Sequence, residues 1–283
     1  MSSINTNVAA IKARSNLERV QRDMDSSIAR LSSGKRITRA HDDAAGSAIA
    51  GRMESQIRGL TMGIRHAKDG QSLTDTQEGA LQEVTAILQR MRELAVQAGS
   101  GTMQKTDRQY LDLEMEQLVD EIEAINANTK FNDTAVLTGT QFSFYTDIDV
   151  AGTAIQTVAA NITVTALGAA TATGGALGVK KANVDVTTIT AVDNVIANID
   201  LAIGSIASMR ANLGAVSNRF DHVVDNLTNV VANTEASKSR VEDADFAVET
   251  TALTRSTVLQ QAATSMVAQA NASKNTILAL IQS

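Results

Sequence analysis

No proline occurs anywhere in the 283 residues. Proline removes a backbone donor and clashes with the preceding turn, so it is the residue that most often ends a helix. Without it, apolar residues recurring every three or four positions can hold one helix over many turns. The C-terminal stretch shows that period most cleanly. Ala252, Ser256, Leu259, Ala263, Met266, Ala270, Ser273, Ile277 and Leu280 alternate steps of four and three. This is a heptad seam, the period at which two helices keep one face together. It is made largely of Ala and Ser. At roughly 25 cal/mol per Å² such a stripe does not easily offset about 1–2 kcal/mol of backbone entropy per ordered residue. The segment from Arg240 to Ser283 therefore reads as one that is ordered by assembly, with partners on several sides.

The rest of the chain repeats the pattern. Ile4, Val8, Ile11, Leu17, Val20, Met24, Ile28 and Leu31 predict an amphipathic N-terminal helix, stopped at Ser32-Ser33-Gly34. His41-Asp42-Asp43 offers acidic capping for a second helix over residues 44–98. That helix is interrupted by Gly51, Gly59, Gly63, Gly70 and Gly79, which mark either close helix approach or tolerated weakness. After the Gly99-Ser100-Gly101 turn, Leu111, Met115, Leu118, Ile122 and Ile125 predict a third helix. From Asn128 the texture turns to Thr, Ala, Gly and Val. Period-two pieces at residues 141–144 and 161–164 predict short strands, and the tract 168–178 predicts a solvated loop. Helical period returns from Ala191 and continues through Val192, Ile199, Ile206, Leu213, Phe220 and Leu227. The expected fold class is mainly α: a long antiparallel helical hairpin or coiled-coil rod with a small β-rich central region. Aromatics are only 2% of the chain, so its core must be aliphatic.

Composition argues against chemistry. There is no Cys, hence neither a disulfide framework nor thiolate catalysis. His41, His66 and His222 are not at metal-ligand spacing, and neither a dinucleotide nor a phosphate-binding loop motif occurs. Glu242-Asp243-Ala244-Asp245 reads as a helix start instead of a cation site. No enzyme, no cofactor and no metal are expected. The net charge of −6 gives no global pull towards nucleic acid. Residues 1–40 are locally basic, but no aromatics are interleaved for base stacking, so a helix face meeting acidic neighbours is the expectation. No apolar run is long enough to span a membrane, and the N-terminus lacks the apolar stretch of a cleavable signal.

The residues themselves carry a resemblance. Ile4-Asn5-Thr6-Asn7, Arg30-Leu31-Ser32-Ser33-Gly34, Asp42-Asp43-Ala44-Ala45-Gly46, Glu78-Gly79-Ala80-Leu81 and Arg92-Glu93-Leu94-Ala95-Val96-Gln97 resemble the N-terminal part of bacterial flagellins. Leu213-Gly214-Ala215-Val216, Ser239-Arg240-Val241-Glu242-Asp243-Ala244-Asp245-Phe246 and Leu259-Gln260-Gln261-Ala262 resemble the C-terminal part. The likeness covers about residues 1–137 and 205–283, with a short, unmatched middle. His41 stands where a Lys is frequent in the family, and the stretch 271–275 lacks a Pro often seen there.

The resemblance implies a structural subunit that self-assembles into the extracellular flagellar filament for swimming motility. It implies three regions: residues 1–43 and 240–283 as paired terminal helices of an inner coiled-coil layer, 44–137 and 190–239 as a helical rod domain, and 138–189 as a short outward-facing variable region. It also implies partners: export through the flagellar type III apparatus, a chaperone at the C-terminal segment, and cap and hook-associated junction proteins. A surface read by the vertebrate Toll-like receptor 5 is implied at Gln89, Arg90, Arg92, Glu93, Leu94 and Gln97, with Glu114 in register. That face is expected to be exposed in the monomer and covered in a filament. The terminal assembly seam is expected at Leu259, Ala263, Met266, Ala270, Ile277 and Leu280. Two alternatives stand beside this: a junction protein of the same superfamily, and a chemoreceptor-like helical hairpin, which would need neither a β region nor a basic N-terminal arm.

Overall fold

The computed structural model describes residues 7–146, 155–156, 186–187 and 189–282. The predicted strand at 161–164 and the tract 168–178 lie outside the described residues. The order is α1 (Val8–Ser33), α2 (Ala44–Ala98), α3 (Lys105–Asn128), β1 (Lys130–Phe131), β2 (Thr134–Ala135), β3 (Ser143–Phe144), β4 (Ile155–Gln156), α4 (Ile189–Glu242) and α5 (Phe246–Gln282). The mainly helical architecture with small β elements is thus as the hydrophobic period predicts. The chain forms two compact units, Met1–Ile57 with Ala232–Ser283, and Arg58–Val231.

In the first unit α1 packs along α5. Asn7 starts α1: its carboxamide oxygen accepts from Ala10 N at 3.0 Å, and its Nδ2 donates to the Ala270 carbonyl at 2.9 Å. Gly34 ends α1 in the left-handed region (φ 70°), where an L side chain is strained, and its N–H bonds the Arg30 carbonyl. The chain then runs beside the α4–α5 junction, with Arg36 N to Glu242 O at 2.7 Å and Ala244 N to Gly34 O at 3.0 Å. Asp43 caps α2 at Gly46 N, and Asp245 caps α5 at Ala247 N and Val248 N. Lys238 pairs with Glu54, and Lys35 with Glu242.

The turn before α2 is held by Asp42. Its Oδ2 accepts from Thr38 Oγ1 at 2.9 Å, Arg39 N at 3.0 Å and Thr38 N at 3.1 Å. These bonds, the Thr38 hydroxyl first, hold the Asp42 pKa below its ordinary value. The folded-state value is the lower one. Its stabilisation is therefore complete above the unfolded pKa and is lost as pH falls through the folded one. Acidification through this lowered pKa is expected to open the turn. Smaller amide protection factors at Thr38 and Arg39 at low pH, abolished as a pH effect in Asp42→Asn, would show it. Protection factors that stay equal from about pH 6 down to about pH 2 would refute it.

The side of α5 that meets α1 shares Ser256, Ala263 and Ala270 with the predicted seam and takes Gln260 and Val267 in place of Leu259 and Met266. Glu249 and Ser256 are buried there, with Leu253, Gln260, Ala263, Val267 and Ala270 half-buried. Leu259 and Met266, expected inside, are 48% and 63% exposed. Three polar contacts lie along this side: Arg30 Nη1 to Glu249 at 3.1 Å, Gln260 Nε2 to Gln21 Oε1 at 2.6 Å, and Asn7 to Ala270. Along α5 the hydroxyls of Thr250, Thr251, Thr254, Thr257, Thr264 and Ser265 bond carbonyls three or four residues earlier in their own helix.

The second unit has one main aliphatic core. Leu81, Val84, Leu88, Met91, Leu94, Ala95 and Ala98 of α2 meet Met115, Val119 and Ile122 of α3. They also meet Val192, Val195, Ile199, Ala202, Ile206, Met209 and Leu213 of α4. The four-three spacing on α4 keeps every one of these on a single stripe. Polar pairs line that stripe: Gln71 with Asp221, Arg210 with Glu78 at 2.7 Å, and Arg92 with Asp200 at 2.6 Å. A hairpin follows α3, with β1 and β2 antiparallel and Phe131 opposite Thr134. Its two linking residues, Asn132 and Asp133, both have positive φ, which their short polar side chains tolerate.

The β3–β4 pair carries a smaller core. Ile155, Phe220 and Ala67 are buried together, and Phe144 meets Phe220 edge-on with centroids 5.8 Å apart. Two glycines of α2 make room here. A Cβ on Gly70 would lie 2.5 Å from the Phe220 ring, and one on Gly63 would lie 2.5 Å from the Thr146 carbonyl oxygen. Gly51 and Gly79 have open space around them. Close approach thus explains Gly63 and Gly70, and tolerated weakness explains the other two.

Candidate functional site

Five of the α2 residues predicted for recognition, Gln89, Arg90, Arg92, Glu93 and Gln97, are exposed. Leu94 is not. It is 1% exposed and belongs to the main core, because it continues the buried step from Leu88 and Met91. Leu94 therefore supports the face from beneath and does not form part of its surface.

Arg90 and Arg92 leave α2 on different sides. Arg90 reaches α3: Nη2 and Nε donate to Glu114 Oε1 at 2.8 and 3.1 Å, and Nη1 to Glu93 Oε2 at 3.4 Å. The Glu114 carboxylate raises the Arg90 pKa above its ordinary value, and Asp200 does the same for Arg92 on α4. Arg90, Glu93 and Glu114 are thus one ion-paired surface, joined across two helices, with Gln89 exposed next to Arg90, and Arg92 belongs to the α2–α4 border.

The geometry of that surface depends on a residue the sequence did not single out. Arg108 of α3 is 7% exposed. Its Nε donates to the Ala98 carbonyl at 2.9 Å and its Nη2 to the Ser100 carbonyl at 3.3 Å. A guanidinium thereby closes the C-terminal end of α2, where carbonyls lack helical partners. Asp107 starts α3 by accepting from Gln104 N at 3.1 Å. Arg108→Met is expected to cost about 1.5–3 kcal/mol, the range for hydrogen bonds to a charged group. Urea unfolding of the monomer would measure it, and a change under 0.5 kcal/mol would show the cap to be dispensable. The available signal was a basic residue four positions after a Gln-Lys-Thr-Asp helix start, which is weak on its own.

Tyr110, Leu113 and Val96 are also exposed, and Tyr110 and Leu113 stand beside Glu114 on α3. They fall out of phase with Leu111, Met115 and Leu118, so the helical period gave no reason to notice them.

In the first unit, Leu259 and Met266 are exposed, and Ala263 and Ala270 are half-buried towards α1. The side chains of Ile277 and Leu280 lie outside the described residues. Among the described residues, no three His, Asp or Glu side chains converge as a metal site, and no helix is long and apolar enough to cross a membrane.

Residues 4–142 match the bacterial flagellin N-terminal helical region, and residues 196–281 match the bacterial flagellin C-terminal helical region. A flagellin of Halalkalibacterium halodurans is 38% identical over 280 residues, 99% of each chain. A flagellin of Bacillus subtilis is 38% identical over 305 aligned positions, again 99% of each chain. The crystal structure of Bacillus cereus flagellin is 31% identical, with 60% of this chain and 94% of that one covered, at a TM-score of 0.47.

Proposed function

Because the chain belongs to the bacterial flagellin family, we propose a division of labour for it as a subunit of the flagellar filament. It is a structural protein that assembles with copies of itself into that filament. In this reading, residues 1–43 and 240–283 form the paired inner layer, 44–137 and 190–239 the helical rod, and 138–189 the outward region. One observation carries it: the α1–α5 unit leaves Val8, Ile11, Ile28, Phe246, Val248, Val258, Leu259 and Met266 exposed. A lone subunit keeps this apolar surface in water, and a neighbouring copy removes it.

The ion-paired surface at Arg90, Glu93 and Glu114, with Gln89, Arg92 and Gln97 at its edges, is the contact to the next subunit. In the free monomer the same surface is open to the host Toll-like receptor 5. The subunit leaves the cell through the flagellar type III apparatus and works outside it. An export chaperone covers the C-terminal segment beforehand, and cap and hook-associated junction proteins bound the filament at its ends.

Seeded growth followed by electron microscopy tests the assignment. Long helical filaments are expected from purified protein plus short fragments. Short discrete oligomers alone would overturn it. Arg90→Glu gives the finer test. Exposed pairs contribute little to stability, so monomer unfolding should barely change. The critical concentration for elongation should rise at least about tenfold, and the charge-reversed pair Arg90→Glu with Glu114→Arg should recover part of it. An unchanged critical concentration would remove this surface from the interface.

A further inference from the structure

We propose that Met266 is an oxidation-sensitive assembly residue: its thioether is open to peroxide in the free subunit, and its sulfoxide blocks addition to the filament. The inference rests on the filament reading above and assigns to one side chain of it a modification chemistry.

The chain has no Cys, so methionine carries its only sulfur. Met91 and Met115 are fully buried and Met209 nearly so. Among the described residues two methionines stand out in solvent, Met266 at 63% and Met62 at 43%. Their surroundings differ. Met266 sits two helical turns beyond Leu259 on the flank of α5 beside the half-buried Ala263 and Ala270, and Val248 falls on the same stripe. Met62 has Arg58, Thr61, Arg65 and His66 as its helical neighbours. An apolar thioether suits a surface that a second copy covers, and at Met62 no such stripe exists.

The chemistry balances with hydrogen peroxide as the oxidant. The thioether sulfur attacks one peroxide oxygen, the O–O bond breaks, an S–O bond forms, and water leaves. Sulfur is oxidised by two electrons and peroxide is reduced by two. The product exchanges a flexible apolar side chain for a strongly dipolar one. Burying that dipole without a hydrogen-bond donor is unfavourable. In a filament the penalty recurs at every subunit, so elongation responds to it directly. Oxidation therefore acts before incorporation, and packing protects the residue afterwards.

The test uses the full chain. Wild type, Met266→Leu and Met62→Leu are treated as monomers with hydrogen peroxide, and peptide mass spectrometry measures sulfoxide at each site. Peroxide is expected to raise the critical concentration at least tenfold in wild type and in Met62→Leu, and less than twofold in Met266→Leu. Methionine sulfoxide reductases should restore the untreated value. Residue 266 should also oxidise at least fivefold more slowly in filaments than in monomers. Equal inhibition of Met266→Leu, or equal oxidation of 266 in both states, would overturn the proposal. If untreated wild type fails to elongate seeds, the filament reading falls and this inference with it. Normal untreated growth that peroxide leaves unchanged would sink the inference alone.

Discussion

Phe220→Ala is expected to destabilise the Arg58–Val231 unit by about 3–5 kcal/mol, the range for emptying a large aromatic site. Phe220 is fully buried and meets three things: the Phe144 ring, the Ile155 side chain of β4, and the bare backbone at Gly70. Removing the ring leaves a hole that a two-residue strand pair cannot collapse to fill. Urea unfolding of the monomer, followed by far-ultraviolet circular dichroism, measures the loss. The reverse change tests the same packing from the other side. Gly70→Leu drives a side chain into the ring and should cost about 1–3 kcal/mol. The double variant should then be more stable than the sum of the two losses predicts, because the leucine occupies the vacated space. Simple additivity would mean that the two residues do not share a cavity.

Ser256→Phe is the second large effect, and it falls on assembly. Ser256 is 8% exposed on the α5 face that meets α1, where small side chains let the helices approach. Overpacking of about 1–3 kcal/mol there corresponds to roughly a 5- to 150-fold rise in critical concentration, if pairing of α1 with α5 must precede incorporation. The Arg58–Val231 unit should unfold as before. Ser256→Ala, which keeps the side chain at this position small, is the control and should leave assembly within about twofold of wild type. A Ser256→Phe protein that elongates like wild type would remove α1–α5 pairing from the requirements for growth.

Helix existence was legible because period needs only local sequence. The stripe from Val192 to Leu213 is read from twenty-two consecutive residues, and the structure buries it against α2 and α3. The motifs that resembled flagellins were equally direct, and the family match confirms them. The exact facing of α5 was not legible. Its Ala-, Ser- and Gln-rich surface leaves Leu259 and Met266 outside, and the polar partners of Glu249 and Gln260, namely Arg30 and Gln21, are more than 200 residues away in the chain. Leu94 marks the contrast in the other unit. The motif places it beside exposed neighbours, but the four-three step Leu81, Val84, Leu88, Met91, Leu94 and Ala98 already turns it inward, and the structure buries all six. Gly63 and Gly70 could be told from Gly51 and Gly79 only by what crosses α2, namely Phe220 and Thr146.

The threonines of α5 have a consequence for how that helix meets water. By hydropathy they count as polar, yet each hydroxyl already has its acceptor in the preceding turn. What such a threonine leaves outside is chiefly its methyl group. A neighbour can therefore strip the water from this helix without stranding a donor, which is the usual penalty of drying a polar surface. Such a surface can dehydrate at little expense when a like surface arrives. A serine- and threonine-rich helix thus behaves as two materials, wettable when alone and methyl-coated when pressed against its own kind.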